Sequence, residues 1–345
     1  MTIRVNVVMG GPSAEYEISL KSGREVIVNL DKNKYSIRAV VVTKNKEFYS
    51  CDIKDTIPSP EEIAAPENIN LFSGPFLPSD SSAIWNNCDT AFLALHGEFG
   101  ENGIIQGYLD TLGIPYTGSG VYSSAVAMNK IASKYLYIQN GLAVPPYSVF
   151  GKYFPQITID SIVKKHGFPC FIKCPQSGSS RLMGKAETME QLLTLLTELT
   201  THSDEILIES MINGPEFTCG IIEMPDGSLK AFPPIEIRPV ASSFFDFTAK
   251  YSDGASEEIV PAPRPEELLK RIQNIALAAH RILECRGVSR TDMIYQDDTF
   301  YVLETNTLPG MTPNSLLPKA FKATGGSYSE LLDILIQSTL KKSRL

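Results

Sequence analysis

The sequence predicts an α/β protein, and three stretches carry that prediction. Residues 3–9 (IRVNVVM) form a short apolar, β-branched run that breaks at Gly10-Gly11-Pro12-Ser13 and resumes as a helical pattern over 14–30. A strand, a glycine turn and a helix open a parallel α/β unit. Residues 90–95 are another apolar strand and run into HGEFGENG at 96–103. Glycine density at a strand's carboxyl edge marks the place where such sheets hold ligands. Residues 288–295 and 300–305 read as two strands around a tight turn at 296–299, with aromatic and β-branched residues in the second.

In chain order, Ser13 is a candidate cap for the first helix, and Glu15 and Glu17 suit its positive end. The glycine turn matches neither the dinucleotide fingerprint nor the P-loop. Residues 35–42 are a second strand, and 43–82 read as an irregular, proline-rich surface insertion. His96, after the third strand, is expected to orient a partner by hydrogen bonding. A helix at 104–112 leads to a short strand and linker at 114–120, where a domain boundary is expected. One helix is expected over 123–140, ending at Gly141, with Lys130 and Lys134 both on a solvated face. After a short helix at 161–166, the strand 168–174 holds Lys173, whose burial would require an anion. QSGSSR at 176–181 follows, and a lysine strand feeding a Gly/Ser loop suits a phosphate cradle. A helix at 189–200 and strands at 205–209, 217–223 and 229–232 come next. The loop KYSDGA at 250–255 reads as a lid, 265–285 as an amphipathic helix, and 328–340 as the closing helix.

The hairpin at 288–305 carries the densest chemistry. Residues two apart share a strand face, so Arg290 and Asp292 point one way, as do Glu304 and Asn306. If the strands pair, one face carries a guanidinium, two carboxylates and an amide. That oxygen set suits Mg²⁺, and the arginine suits an anion or a developing oxyanion. Gly310, in the loop that follows, is a position where backbone can approach a ligand closely.

Composition narrows the partners. The net charge is −8 over 345 residues, and the one basic cluster is Lys341-Lys342-Ser343-Arg344. This argues against nucleic acid or an anionic membrane and leaves room for a small anionic ligand held by local cations. The six cysteines form no C-x-x-C pair, which predicts reduced thiols and a cytoplasmic location. No signal segment or membrane-spanning run is evident.

Taken together, GGPSAEYEISLKSG (10–23), LHGEFGENGIIQGYLDTLGIPYTGSGVYSSAVAMNK (95–130), FIKCPQSGSS (171–180), LIESMINGPEFT (207–218), AKY (249–251), GVSRTD and LETNTLPGMTPNSL resemble the D-alanine–D-alanine ligase family of ATP-grasp carboxylate–amine ligases. The resemblance spans the chain apart from roughly 44–82. It implies an N-terminal α/β domain (1–118) and a two-part ATP-grasp fold of α+β character (119–212 and 213–345). It implies that Lys130, Lys173, Ser180 and Lys250 hold ATP phosphates, that Glu209, Met211 and Ile212 line the adenine pocket, and that Glu216 takes the ribose. Asp292, Glu304 and Asn306 would hold two Mg²⁺ ions, with Mn²⁺ an alternative. Glu15 would bind the first D-alanine's ammonium, with His96 nearby, and Glu15, Ser179 and Tyr251 would tether the lid. Arg290 and the Gly310 N–H would stabilise the oxyanion, and Ser315 with the Leu316 backbone would receive the second carboxylate. The implied activity is ATP-dependent formation of D-alanyl-D-alanine through an acyl phosphate, by a cytoplasmic homodimer that makes peptidoglycan precursors.

Three departures from the family pattern are Cys174 for proline, Ser210 for lysine, and Arg181-Leu182-Met183 where an apolar residue and a glycine are usual. The readings that compete are ligation of D-alanine to D-lactate or D-serine, against which Tyr251 after Lys250 argues, and a non-catalytic nucleotide-binding scaffold, which Leu182 leaves open. Another ligase on the same fold is opposed by the Glu15 and Ser315 motifs.

Overall fold

In the computed structural model, residues 2–54, 56–178, 182–239 and 256–342 are described. The N-terminal part contains β1 (Ile3–Gly10), α1 (Tyr16–Asn29), β2 (Tyr35–Val42), β3 (Phe48–Ile53), α2 (Pro60–Ala64), β4 (Ser73–Phe76), α3 (Ser82–Trp85), β5 (Thr90–Leu93) and α4 (Ile104–Thr111). Its sheet runs β4-β3-β2-β1-β5. β1 pairs in parallel with β2 and β5, while β3 and β4 extend the edge antiparallel. The buried apolar run of β1 therefore lies at the centre of the parallel portion, as its unbroken hydrophobicity requires. At the end of β1, Gly10 has φ +90, and a Cβ there would lie 2.3 Å from the Val42 carbonyl oxygen, so only glycine lets the chain turn into α1.

The central part comprises α5 (Val121–Met128), α6 (Lys130–Gln139), β6 (Tyr147–Gly151), α7 (Ile159–His166), β7 (Cys170–Lys173), β8 (Met183–Ala186), α8 (Met189–Leu199) and β9 (Glu205–Ser210). Its antiparallel sheet has the order β6-β9-β7-β8. The C-terminal part comprises β10 (Glu216–Glu223), β11 (Leu229–Ala231), β12 (Ile235–Pro239), β13 (Ser256–Ile259), α9 (Glu266–Ile282), β14 (Val288–Gln296), β15 (Thr299–Asn306), α10 (Leu316–Ala323) and α11 (Tyr328–Lys342). Its sheet is ordered β13-β12-β10-β14-β15, with β11 on β10. The closing helix α11 joins that sheet to the first one, since its core also holds Ile222 of β10 and Val288 of β14. Leu331, Leu332, Leu335 and Ile336 share one core with Val5, Val7 and Ile27 of the N-terminal part. Tyr35 Oη donates to Asp333 at 2.5 Å across the same junction.

Two expectations are corrected. Residues 43–82 are not an irregular surface insertion: β3 and β4 complete the first sheet, and Phe48, Cys51, Ile63 and Phe72 are buried. Charged and proline-rich flanks mask a six-residue strand whose buried residues are Phe48, Tyr49 and Cys51. The helix expected over 123–140 is two helices. Asn129 adopts an extended backbone and its side chain accepts from the Ile131 and Ala132 N–H groups, capping α6.

Phe48 is packed edge-on against Trp85, with ring centroids 6.4 Å apart. Phe48→Ala should lower unfolding free energy by about 3–5 kcal/mol, the range for deleting a buried phenylalanine. Denaturant titration reads this, and a loss below 1 kcal/mol would restore the view of 43–82 as an appendage.

Candidate active site

The antiparallel register pairs Arg290 with Asn306 and Asp292 with Glu304, so all four stand on one face. The turn between the strands is Asp297-Asp298, both at positive φ (49° and 59°), which is the backbone of a tight two-residue hairpin. Arg290 grips Asp292 through Nε at 3.0 Å and Nη2 at 2.9 Å. Thr218, on the neighbouring β10, donates to Asp292 Oδ1 at 2.5 Å, and Asn306 Nδ2 stands 3.4 Å from Oδ2. Beside them Lys130 Nζ sits 3.0 Å from Glu304 and donates to the Ser177 carbonyl at 2.9 Å. That second contact joins the start of α6 to the Gly/Ser loop.

A second cluster lies under this face. Glu209 at the end of β9 is 2.6 Å from Lys134 Nζ and 2.5 Å from Lys173 Nζ. Burial alone would raise the Glu209 pKa, but the two ammonium groups outweigh it and hold the carboxyl at about 2. Burial also acts against Lys173, but Glu209, Glu304 and Glu216 together keep its ammonium above the ordinary lysine range. The sequence anticipated the anion that Lys173 requires but not its identity. Lys134 was expected on a solvated face and is instead fully buried. Its position on the buried stripe with Ile131 and Tyr137 was the available signal.

The third cluster joins the N-terminal loop to the segment after β15. Glu15 Oε2 lies 2.6 Å from where a Cβ on Gly97 would stand and 3.4 Å from one on Gly178. Gly97, at φ +68, thus permits the close approach and the turn together. His96 is buried; its Nε2 is 2.9 Å from Ser22 Oγ and its Nδ1 3.3 Å from the Leu308 carbonyl. Nδ1 must carry the proton toward that carbonyl, so Nε2 accepts from the serine. Burial depresses the ring's pKa, in keeping with a neutral imidazole. Glu101, which sequence reasoning missed, accepts from the Gly97 N–H at 2.7 Å and the Leu308 N–H at 3.3 Å. The residue keeps some exposed surface, but its carboxyl sits deep in the cleft. Burial and the nearby Glu15 charge push it up to about 8, against those two donors and Arg290. Gly310 and Ser315 are adjacent: a Cβ on Gly310 would stand 2.9 Å from Ser315 Oγ. Ser315 and Leu316 form the N-terminal end of α10.

The remaining candidate residues are spread unevenly. Met211, Ile212 and Glu216 lie together where β9 passes into β10, half-buried. Ser179, Ser180, Lys250 and Tyr251 fall outside the described residues. Leu182 does occupy a left-handed backbone, at φ 46, and Gly184 does not relieve it, being paired with Ile172 in the β7–β8 ladder. All six cysteines are free thiols. Among the described residues no helix is long and apolar enough to cross a membrane. None of their His, Cys, Asp and Glu side chains assemble in a group of three able to hold a metal.

An N-terminal α/β sheet followed by two antiparallel sheets, with lysines and carboxylates where they meet, is the ATP-grasp architecture. Family models described as D-ala D-ala ligase N-terminus and C-terminus match residues 4–119 and 136–337. The D-alanine–D-alanine ligase of Leptospira biflexa is 40% identical over 98% of this chain and 99% of its own length. That of Clostridium beijerinckii is 38% identical over 99% and 100%. Among solved structures, the D-alanine–D-alanine ligase of Bacillus anthracis complexed with ATP superposes with TM-score 0.78 at 34% identity, covering 99% of each chain. The VanG D-Ala:D-Ser ligase of Enterococcus faecalis superposes with TM-score 0.86 at 31% identity, covering 98% of this chain and 100% of its own. The chain belongs to the D-alanine–D-alanine ligase family.

Two predictions follow from the site's backbone and charges. A bulky residue in the left-handed region costs roughly 1–2 kcal/mol, and Leu182 is more than a third exposed. Leu182→Gly should therefore raise stability by about 0.5–1 kcal/mol once glycine's greater unfolded-state entropy is set against that relief. No gain in denaturant midpoint would refute the strain. For Glu101, the folded pKa of about 8 exceeds the ordinary 4.5. The folded state thus binds the extra proton between those values. Its stabilising contribution is complete below about pH 4.5 and is lost as pH rises toward 8. Glu101→Gln should flatten the decline of unfolding free energy over that window, by less than the limit of about 1.4 kcal/mol per pH unit for one proton. Superimposable pH–stability curves would remove Glu101 as their source.

Proposed function

We propose that this enzyme joins two molecules of D-alanine into D-alanyl-D-alanine, converting ATP to ADP and phosphate. A carboxylate is a poor electrophile, so amide formation at neutral pH needs activation. The first D-alanine's carboxylate oxygen attacks the γ-phosphorus and ADP leaves, giving an acyl phosphate. The second D-alanine's amine attacks the acyl carbon, and the C–O bond to phosphate breaks from the tetrahedral adduct.

Each step needs particular groups, which this reading assigns as follows. Lys130 and Lys173 bind the polyphosphate, with Ser180 and Lys250 as further phosphate ligands. Glu209, Met211 and Ile212 line the base pocket and Glu216 takes the ribose hydroxyls. Glu15 takes the first substrate's ammonium beside neutral His96. Arg290 and the Gly310 N–H stabilise the oxyanion. Ser315 and the Leu316 N–H take the second carboxylate, a use suited to the N-terminus of α10. Asp292, Glu304 and the Asn306 amide oxygen are a hard-oxygen set that fits Mg²⁺ or Mn²⁺. One or two carboxylates plus substrate phosphates commonly complete such a site, so a three-carboxylate cage is unnecessary. The metal, when bound, offsets charge on the transferring phosphoryl group. Closure of the lid, with Glu15, Ser179 and Tyr251 as its tether, would keep water from the acyl phosphate. The observation that carries this reading is the single face of Arg290, Asp292, Glu304 and Asn306 with Lys130 3.0 Å from Glu304. It brings the cation for phosphate and the anion for metal side by side. The cytoplasm and a homodimer are the expected setting; sedimentation would test the latter.

A second reading, D-serine at the second substrate position, draws support from the likeness to the D-Ala:D-Ser ligase. The decisive assay supplies ATP, Mg²⁺ and D-alanine alone, with D-serine, or with D-lactate, and reads phosphate and product mass. We expect one phosphate per D-alanyl-D-alanine in every tube, with the homodipeptide predominant. Asp292→Asn should reduce turnover at least about a hundredfold, the scale of losing a transition-state electrostatic contact. A mixed product in preference would overturn the specificity, and nucleotide binding without turnover would overturn the ligase reading in favour of a scaffold.

A further inference from the structure

Lys134 is a fully buried lysine at a place where a neutral residue would be cheaper. Its side chain is 0% exposed and its ammonium lies 2.6 Å from Glu209, whose own side chain is 3% exposed. Burying an ion pair costs more in desolvation than a well-packed apolar pair, so such a pair is weak evidence for stability. The geometry around it suggests another use. Glu209 has two oxygens and two lysine partners: Lys134 on Oε1, from α6, and Lys173 on Oε2, from β7. The two lysines differ in access. Lys134 is sealed in, whereas Lys173 keeps 16% of its side chain exposed. Burial pulls the Lys134 pKa down and the Glu209 carboxylate opposes that pull; with both lysines charged, the trio carries one net positive charge, and only Lys173 can present it to a ligand. Lys130, the other phosphate candidate, is already opposed by Glu304 at 3.0 Å.

We propose that Lys134 is a positioning residue for nucleotide binding: it supplies the counter-charge of Glu209, so that Lys173 is held in place by that carboxylate without being neutralised by it. This rests on the reading of Lys173 as a phosphate ligand. Without Lys134, Glu209 and Lys173 form a closed pair with no net charge. Lys173 would then have to leave a buried carboxylate unpaired in order to reach a phosphate. A merely structural Lys134, tying α6 to β9, would weaken every part of nucleotide binding alike.

The test compares the β,γ-imido analogue of ATP with adenosine, which lacks phosphates, by calorimetry on the full chain with Mg²⁺. The ratio of their affinities isolates the phosphate contribution. Lys134→Met should lower that ratio roughly ten-fold or more, the weight of one charged hydrogen bond, and leave the KM for D-alanine within about two-fold. Lys134→Arg, which keeps the charge, should recover most of the ratio. The double variant Lys134→Met with Glu209→Gln removes one charge of each sign, so its ratio should return toward that of the wild type. If Lys134→Met does not fold, the double variant decides by itself: a wild-type ratio supports the proposal, and a ratio as low as that of Lys173→Met overturns it. A Lys134→Met protein that loses analogue and adenosine binding equally, or loses neither, also overturns it. Lys173→Met distinguishes the underlying reading. If that variant leaves the ratio unchanged, Lys173 is not a phosphate ligand and the reading itself has failed; if it lowers the ratio while Lys134→Met does not, only the role of Lys134 is wrong.

Discussion

The register of β14 against β15 is the constraint on which the site depends. Simple alternation from Asn306 would set Asn306, Glu304, Val302 and Phe300 on one face, mixing two polar with two apolar residues. The ladder avoids this by shifting register after Asp292: Glu304 faces Asp292, but Val302 faces Met293. The extra residue, Leu303, is a β-bulge, and a bulge reverses which face the following residues occupy. Val302, Phe300 and Met293 therefore enter the core while Arg290, Asp292, Glu304 and Asn306 stay on the cleft side. Opposite them Thr291 and Thr305 hydrogen-bond to each other at 2.9 Å, and Tyr137 donates to Thr305 at 2.7 Å. That buried polar contact ties α6, and with it both its lysines, to the back of the same hairpin.

Once the hairpin is fixed, charge orders what surrounds it. In the cleft and beneath it, Lys130, Lys134, Lys173 and Arg290 each stand within 3.0 Å of Glu304, Glu209 or Asp292. Each cation has a carboxylate within ion-pair distance, so no single charge has to be buried alone, which is the condition for charges to persist in a low-dielectric interior. The pairing is alternating in space and drawn from four elements: α6, β7, β9 and the β14–β15 hairpin. Rigid sheets supply most of the groups, which suits the proposed use of this face, where phosphate, metal and carboxylate would be held at fixed separations. The Gly/Ser loop meets this cluster where Lys130 Nζ donates to the Ser177 carbonyl and the Lys130 N–H donates to the Pro175 carbonyl.

Much of this was legible in the sequence because it follows from period and spacing. The strand, glycine turn and helix at the N-terminus, the hairpin with its one-sided charges, and Lys173 at a strand end all obey local rules, and the seven ordered motifs named the family. What escaped depends on tertiary partners. Lys134 shares a helical stripe with Ile131 and Tyr137, but what allows a lysine there is seen only when β9 brings Glu209 against it. Glu101 is one of two glutamates in a glycine loop, Glu98 and Glu101, and only the approach of Leu308, some two hundred residues later, distinguishes it. Asn129 sits inside an unbroken helical pattern, and its role as a cap shows only when the backbone turns. Residues 43–82 misled for a different reason: β4 is the edge strand, where a proline is tolerated, and β3 beside it is short and flanked by charged residues, so the segment's composition resembles a loop.

Leu308 shows how the parts are made to act together. Its peptide is held from both sides by one loop of the N-terminal part: His96 donates to its carbonyl and Glu101 accepts from its N–H. The next residues are Pro309 and Gly310, so a grip on Leu308 sets where the Gly310 N–H points. The same loop meets Glu15 through Gly97. A displacement of residues 96–101 would therefore move the groups proposed for the first substrate's ammonium and for the oxyanion in one motion. The closing helix α11 reinforces that coupling from behind, since its leucines complete the core of the first sheet. The N-terminal part is thus joined to the hairpin both at the cleft and at its base. A site assembled from the edges of three sheets needs such double attachment, because hinge freedom at either end would spread its charged groups beyond the separations on which their pairing depends.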